Sequence, residues 1–436
     1  MVRQGRLVGM VTLVGLAIGP SLKGQVASPG VPQDTLSQEQ VVREVVAHND
    51  RAAAMQYMEA AANAKIGPAG AWDDPMLMLG VNNVPTSFDF RMDPMTMKMV
   101  GLSQNIPYAG QKGLASKAAR ADAAASTDDK QTVQLELAAT ARTAYAELYY
   151  RRKALAYLAS QYELLDGVVA STRAKLIANQ ATQDELLAAQ AEQWRMQAQL
   201  VMAESDAQEA GFKLNALRGR AAAEAIPPLA RPLLDSIPKS VDPWLSSAQA
   251  HYPPLQKLRH KSESYGFSAG AARRMSWPML GLSASYGIRE STEMEKRDNM
   301  LSFQATVSLP LFSGRSQRQM ARSMEAMKKS SDAEASQLWR DVEAALSALH
   351  QHAEHYQENV KMYDSRIIPA SEDAFRGALA GYQTNRTSLT TVLSYALAIY
   401  RDRLGMLQQA NNLARTMAEA EKYAGDPGAY SSSERH

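Results

Sequence analysis

Apolar and polar residues change period four times along this chain, and the changes come in two matching sets. From Pro75 to Val84 and again from Met95 to Ile106 they alternate, the period of a strand with one apolar face. The segment Met95–Lys112, MTMKMVGLSQNIPYAGQK, then breaks at Pro107 and Gly110 and opens directly into a helical pattern. A near-equivalent passage, Met300–Arg315, MLSFQATVSLPLFSGR, also leads from alternation into a long helical period. Proline lacks the amide that a central ladder uses, and glycine accepts dihedrals other residues avoid, so both passages read as strand-to-helix junctions.

The repetition has a fixed offset. Pro107 and Pro310, Pro75 and Pro278, His48 and His251, Gln180 and Gln383, and Leu186 and Leu389 each lie 203 positions apart. The chain therefore reads as a duplication of helix, two strands, long helix, break and helix.

In order, the pattern predicts a helix over Leu36–Ile66 and strands over 75–84 and 95–107. A long helix follows over Gln111–Ile177, with its apolar stripe at Leu148, Leu155, Leu158, Tyr162, Leu165 and Val169. A polar tip over 178–184 leads to a further helix over Asp184–Arg218, completing repeat 1 (34–220). The stretch 221–244, with prolines at 227, 228, 232, 238 and 243, reads as a linker. Repeat 2 (245–424) has a helix to Arg274, strands over 278–288 and 300–310, and a long helix over Arg315–Ala380. Its stripe is Leu338, Val342, Ala345, Leu349, His352 and Tyr356; a tip at 381–387 and a last helix to Tyr423 follow, and 425–436 reads as a disordered tail.

Length changes the picture. At 1.5 Å per residue the helix over 111–177 extends roughly 100 Å, and the two shorter helices of its repeat match it end to end. That is a coiled-coil-like rod, not a globular core. The strands have the length of a tilted transmembrane strand. Strand 278–288 places Leu280, Leu282, Ala284, Tyr286 and Ile288 on one face and Gly281, Ser283, Ser285 and Gly287 on the other. Strand 300–310 sets Leu301, Phe303, Ala305, Val307 and Leu309 against Ser302, Gln304, Thr306 and Ser308. Apolar outside and polar inside is the membrane-barrel pattern. Trp72, Trp277, Tyr108 and Phe312 fall at the strand ends where an aromatic girdle belongs. The alternative is two amphipathic hairpins in a soluble sandwich.

Composition narrows the classes. With 47 basic and 45 acidic residues among 436, no net charge points to nucleic acid. Arg3 and Arg6 precede an apolar run from Leu7 to Gly19, a secretory signal pattern assigned to 1–27 with cleavage near Gly24 or Ala27. There is no cysteine, hence no disulfide, thiolate metal site or lipidated cysteine. No phosphate-binding glycine loop, HExxH or nucleophile elbow occurs, so neither an enzyme nor a cofactor is expected.

The order of elements resembles the TolC family of outer-membrane efflux channels over nearly the whole chain. The segments DDPMLMLGVNN (73–83) and DPMTMKMVGLSQNIPYAGQKG (93–113) resemble its heavy-metal, CusC/CzcC-like branch. The tips ANQATQDELLAAQ (178–190) and GYQTNRTSLTTVL (381–393) resemble the family's helical turns. The resemblance implies an α+β membrane protein. It would be a homotrimer with a 12-stranded barrel in the outer membrane, continued by a helical barrel through the periplasm. It implies a passive duct docked through a periplasmic adaptor onto an inner-membrane RND-type pump, exporting heavy-metal cations. A general multidrug or type I secretion channel, and a non-channel coiled-coil envelope protein, are the other readings. Some members of the family are lipid-anchored through an N-terminal cysteine, and this sequence has none. It also has Thr390, Thr391 and Ser394 where TolC carries pore-narrowing acids.

Two residue sets are candidates for function. Met76, Met78, Met95, Met97 and Met99 alternate along the first repeat's strands, and thioethers suit soft cations such as Cu(I) or Ag(I). As plain apolar filler they need no ligand. A lumen-facing row is the expectation. Gln180, Thr182, Asp184, Gln383, Asn385 and Arg386 are the expected docking and gating residues of the tips. His350, His352 and His355 invite a zinc reading, but three such positions cannot converge from one helix, so packing or solvent is expected instead.

Overall fold

A computed structural model of the chain describes residues 35–232 and 236–425. The predicted signal segment 1–27 and the predicted tail beyond Gly425 lie outside the described residues.

Helix α1 (Gln38–His48) starts from a reciprocal cap: Gln40 N donates to Ser37 Oγ at 3.2 Å, and Ser37 N to Gln40 Oε1 at 2.9 Å. The single helix expected over 36–66 is broken at Asn49, which leaves the helical region (φ −80°, ψ 128°) and caps α2 (Asp50–Ala64) by accepting from Arg51 N at 2.9 Å. A short α3 (Ile66–Gly70) follows. The second repeat bends at the equivalent position by other chemistry. There α6 (Asp242–His251) and α7 (Pro253–Arg274) meet at Tyr252 (φ −65°, ψ 109°). Pro253 excludes its predecessor from the helical region. Asp242, Pro243 and Trp244, assigned to the linker by pattern, already belong to α6.

The strands β1 (Met76–Asn82), β2 (Met97–Ile106), β3 (Leu280–Arg289) and β4 (Met300–Val307) form one antiparallel sheet in the order β1-β2-β3-β4. The β2–β3 pairing, from Met97 opposite Arg289 to Ile106 opposite Leu280, joins the two repeats. Among the described residues, both edge strands keep one side of their backbone unpaired.

Below the sheet run the long helices. α4 (Gln111–Ile177) leaves Gly110, whose φ of 77° is a glycine conformation. Its counterpart is α8 (Gln317–Met362), a π-helical turn over Tyr363–Ile367, and α9 (Ile368–Gln383), in one continuous path. Pro369 in the first turn of α9 has no amide to give and crowds the turn before it, which accounts for the π turn there. α5 (Gln183–Leu217) and α10 (Leu389–Ala424) return along them.

The repeat offset is not constant. Gln111 and Gln317, which open the long helices, lie 206 positions apart, as do the left-handed tip residues Asn179 and Asn385. The second repeat has three more residues at its strand-to-helix junction. Below that junction, Gln180 therefore corresponds to Arg386 and Leu186 to Val392, so the sequence pairs Gln180/Gln383 and Leu186/Leu389 are not structural equivalents.

Burial runs as separate clusters along the rod. One lies near the tips (Leu158, Leu165, Val169, Met196, Phe375, Val392, Ile399); another lies between α1, α4 and α5 (Val41, Val45, Tyr145, Leu148, Leu214). A third joins α6 and α7 to α8 through Leu255, Val342 and Leu346. On α8 the stripe is rotated from the expected one: Val342, Leu346, His350 and Ala353 are buried and His352 is exposed. The proline-rich stretch is pinned rather than loose. Tyr145 Oη lies 2.7 Å from the carbonyls of Leu36 and Ala230, and Asn215 Nδ2 donates to Ala222 O and Glu224 O. Burial pushes the Tyr145 phenol up to about 12.

Candidate functional site

Strand register divides the sheet into two chemically distinct faces. Leu77 lies opposite Leu102, and Leu102 opposite Ala284, which faces Phe303. With Leu79, Val100, Tyr286 and Leu301 they form an apolar surface on which Leu79 is 73% and Phe303 77% exposed. On the other face Met76 lies opposite Ser103, Met78 opposite Gly101, Met99 opposite Gly80 and Met97 opposite Asn82. That row continues through Ser283, Ser285 and Gly287 to Gln304, Ser302 and Met300.

Four of the five candidate methionines thus share the face of small and polar residues. Met95 does not reach the strand; it lies in the β1–β2 connection, where its amide donates to Asp93 Oδ1 at 2.7 Å. Met97 is buried, its sulfur over Gly287 so closely that a Cβ there would lie 2.6 Å away. Met300, absent from the expected set, faces Gly287 from the opposite strand. The repeat could have found it, because the 203 offset carries Met97 onto Met300. Gly80 leaves open space beside the thioethers, whereas Gly101 packs against Ala284 and Ser285, and Gly287 makes room for the Met97 sulfur. Such a surface offers soft, uncharged donors without a fixed cage.

At the helix side of the sheet, Tyr108 stacks on Trp277 with ring centroids 5.2 Å apart, and Trp72 and Phe312 are exposed.

The tips lie at the far end of the rod. α4 and α9 end in the same way: Asn179 and Asn385 take φ of 58°, and Gln180 N and Arg386 N each donate five residues back, to Lys175 O and Gly381 O. Thr182 and Ser388 then start α5 and α10, with Thr182 N donating to Glu185 Oε2 at 3.1 Å. Gln180, Asp184, Gln383 and Arg386 are exposed. The Thr182 hydroxyl holds the Asp184 carboxyl below its ordinary range.

Pattern reading missed the group that joins the two tips. Lys175 is buried, donates to Tyr382 O and, at 2.6 Å, to Asn385 Oδ1, and its ammonium lies 4.0 Å from the Tyr382 ring centroid. Tyr382 Oη in turn donates to Thr172 Oγ1 at 3.3 Å. A lysine one turn before a helix end looks like a solvated charge in sequence; only the crossing of the hairpins buries it.

The histidines do not converge. His350 donates from Nε2 to Pro238 O at 2.8 Å and meets the edge of Trp244, whereas His352 stacks on Tyr356. Among the described residues no group of three or more His, Asp or Glu is placed to hold a metal ion.

No family model matches the sequence, and no curated protein matches it. Solved structures do. A CusC structure, described for the conformational changes accompanying folding and transmembrane channel formation, superposes with a TM-score of 0.75 at 14% identity over 89% of this chain and 92% of that one. VceC, an outer-membrane protein of Vibrio cholerae, gives 0.73 at 15% over 89% and 96%. The open MtrE outer-membrane channel of Neisseria gonorrhoeae gives 0.70 at 18% over 89% of each chain. At these identities the likeness establishes the fold: a predominantly helical chain carrying a four-stranded sheet, in the TolC-type arrangement.

Proposed function

We propose that three copies of this chain close into a 12-stranded outer-membrane barrel continued by a periplasmic helical barrel, and that the assembly is a passive exit duct. The observation that carries the reading is the sheet: one exposed apolar face, one face of small and polar residues, and two unpaired edges. In lipid each unpaired backbone group costs several kcal/mol, and four strands cannot close on themselves. Joining β1 of one copy to β4 of the next removes every edge, turning the apolar face to lipid and the methionine-bearing face to the lumen.

The exposed tips then meet a periplasmic adaptor, with an RND-type pump in the inner membrane behind it. The thioether row favours a soft metal cation as cargo. A general exit channel with the same fold is the second reading, because a duct need not bind what it passes.

The test is direct. Purified protein in mild detergent has the mass of a trimer and forms conducting pores in a planar bilayer. A folded, conducting monomer, or a trimer that never conducts, overturns the reading. Loss of the gene lowers copper or silver tolerance if the cargo is a soft cation; loss of drug tolerance alone selects the general channel.

A further inference from the structure

Where the sheet meets the rod, the second repeat has a cavity of about 600 Å³ lined by Arg273, Ser276, Trp277, Arg318, Ala321, Arg322 and Glu325. Three guanidinium groups share it with one carboxylate. Arg273 pairs with Glu325, so Arg318 and Arg322 have no carboxylate partner among the described residues. They stand at i and i+4 of α8, a spacing at which like charges repel. Ser276 Oγ is buried at the same place with no hydrogen-bond partner among the described residues.

The first repeat is an internal control. The 203 offset above the junction carries Arg273 and Ser276 onto Gly70 and Asp73; the 206 offset below it carries Arg318 and Arg322 onto Lys112 and Ser116. There Lys112 Nζ donates to Asp73 Oδ1 at 3.1 Å, and Gly70 lies so close to Ser116 that a Cβ would be 3.1 Å from the serine's own. The first copy is filled and neutralised from within. The second has serine in place of the acid and arginines in place of Gly70 and Ser116, its own carboxylate Glu325 being paired with Arg273, and it leaves space between them.

We propose that this pocket holds the phosphate of an anionic phospholipid headgroup at the foot of the barrel, clasped by Arg318 and Arg322 with Ser276 Oγ as a further donor. Arginine forks match phosphate oxygens in geometry and charge. The surroundings supply the rest of a lipid. Trp277, stacked on Tyr108 and 56% exposed, has the character of an interfacial aromatic. Leu280 opens the apolar sheet face beyond it, and the exposed Leu309, Leu311 and Phe312 precede α8. Basic pockets at this depth select anionic headgroups. The proposal rests on the reading of the sheet as a membrane barrel.

The test compares the wild-type channel, Arg318→Gln/Arg322→Gln and Ser276→Asp by native mass spectrometry with phosphatidylglycerol and phosphatidylcholine, and by conductance in planar bilayers. Wild type prefers phosphatidylglycerol by about tenfold, and both variants lose the preference while still conducting. Ser276→Asp supplies the carboxylate that the first repeat has, so its loss of lipid is not a loss of fold. An undiminished preference in both variants overturns the proposal. Inorganic phosphate that displaces the lipid supports a phosphate site filled from the membrane; inorganic phosphate bound without any lipid preference overturns the lipid as its source. Wild-type protein that does not conduct counts against the channel reading, whatever the lipid result.

Discussion

Lys175 shows how much one side chain can hold at the end of a long rod. Its ammonium joins the end of α4 to the turn between α9 and α10 through Tyr382 O, Asn385 Oδ1 and the Tyr382 ring. Lys175→Met keeps the apolar stem and removes every donor. Leaving those acceptors unmet costs about 1–3 kcal/mol, felt locally because tip turns sit at the low-stability end of such a structure. Amide exchange over 381–388 accelerates in the variant while exchange in the Val41–Leu214 cluster does not; equal exchange at the tip would show that the lysine is not the tie.

Glu44 gives the pH counterpart. Burial alone would raise its carboxyl, but hydrogen bonds from Arg218 and Arg220 outweigh it and hold it below its ordinary value of 4.5. A lowered folded value means that the unfolded chain takes up the proton first as pH falls. The stabilisation is complete above the ordinary value and is lost as pH drops through the folded one. Arg218 is buried at 2.7 Å from this carboxylate, so Glu44→Gln destabilises at neutral pH by about 1–3 kcal/mol. Thermal unfolding in detergent shows that gap at pH 7 and its narrowing as pH falls below the ordinary value of 4.5; a gap independent of pH would assign the effect to packing.

At the scale of elements, the sheet and the helices were legible to different degrees. Alternation fixes which residues share a strand face, because side chains alternate with period two whatever the partner. The register then decided which strands' residues meet, bringing Met300 to Gly287 and leaving Met95 in a connection. Replacing Met76, Met78, Met95, Met97 and Met99 with leucine conserves volume, at a cost below about 1.5 kcal/mol per site, and removes the sulfur. Copper or silver tolerance falls at unchanged channel abundance if the thioethers act on the cargo. Full tolerance makes them lining only. For the helices, the bends at Asn49 and Tyr252 escaped a periodicity reading because the apolar spacing continues across them. The local causes, a capping asparagine and a proline, were in the sequence.

At the scale of the molecule, the rod and its two tips set the functional geometry. On the proposed reading, a duct open at rest would leak, so the tips would close it until an adaptor docks. The chain has no cysteine, which makes a crosslinking test clean. Asp184→Cys combined with Arg386→Cys joins neighbouring protomers on oxidation, and export stops; unchanged export with the crosslink formed places the gate elsewhere.

The duplication, the element order, the faces of the strands and the length of the rod were determined by the sequence alone, because each rests on local period or spacing. Tertiary structure decided what depends on the path between elements. Three extra residues at one junction changed the offset from 203 to 206 and re-paired the tips, so Gln180 matches Arg386. The rotation of α8 buried His350 and exposed His352. Lys175 and the Arg318–Arg322 pocket were invisible for the same reason: whether a charge is solvated, tied or left waiting depends on what another part of the chain brings beside it, and no period records that.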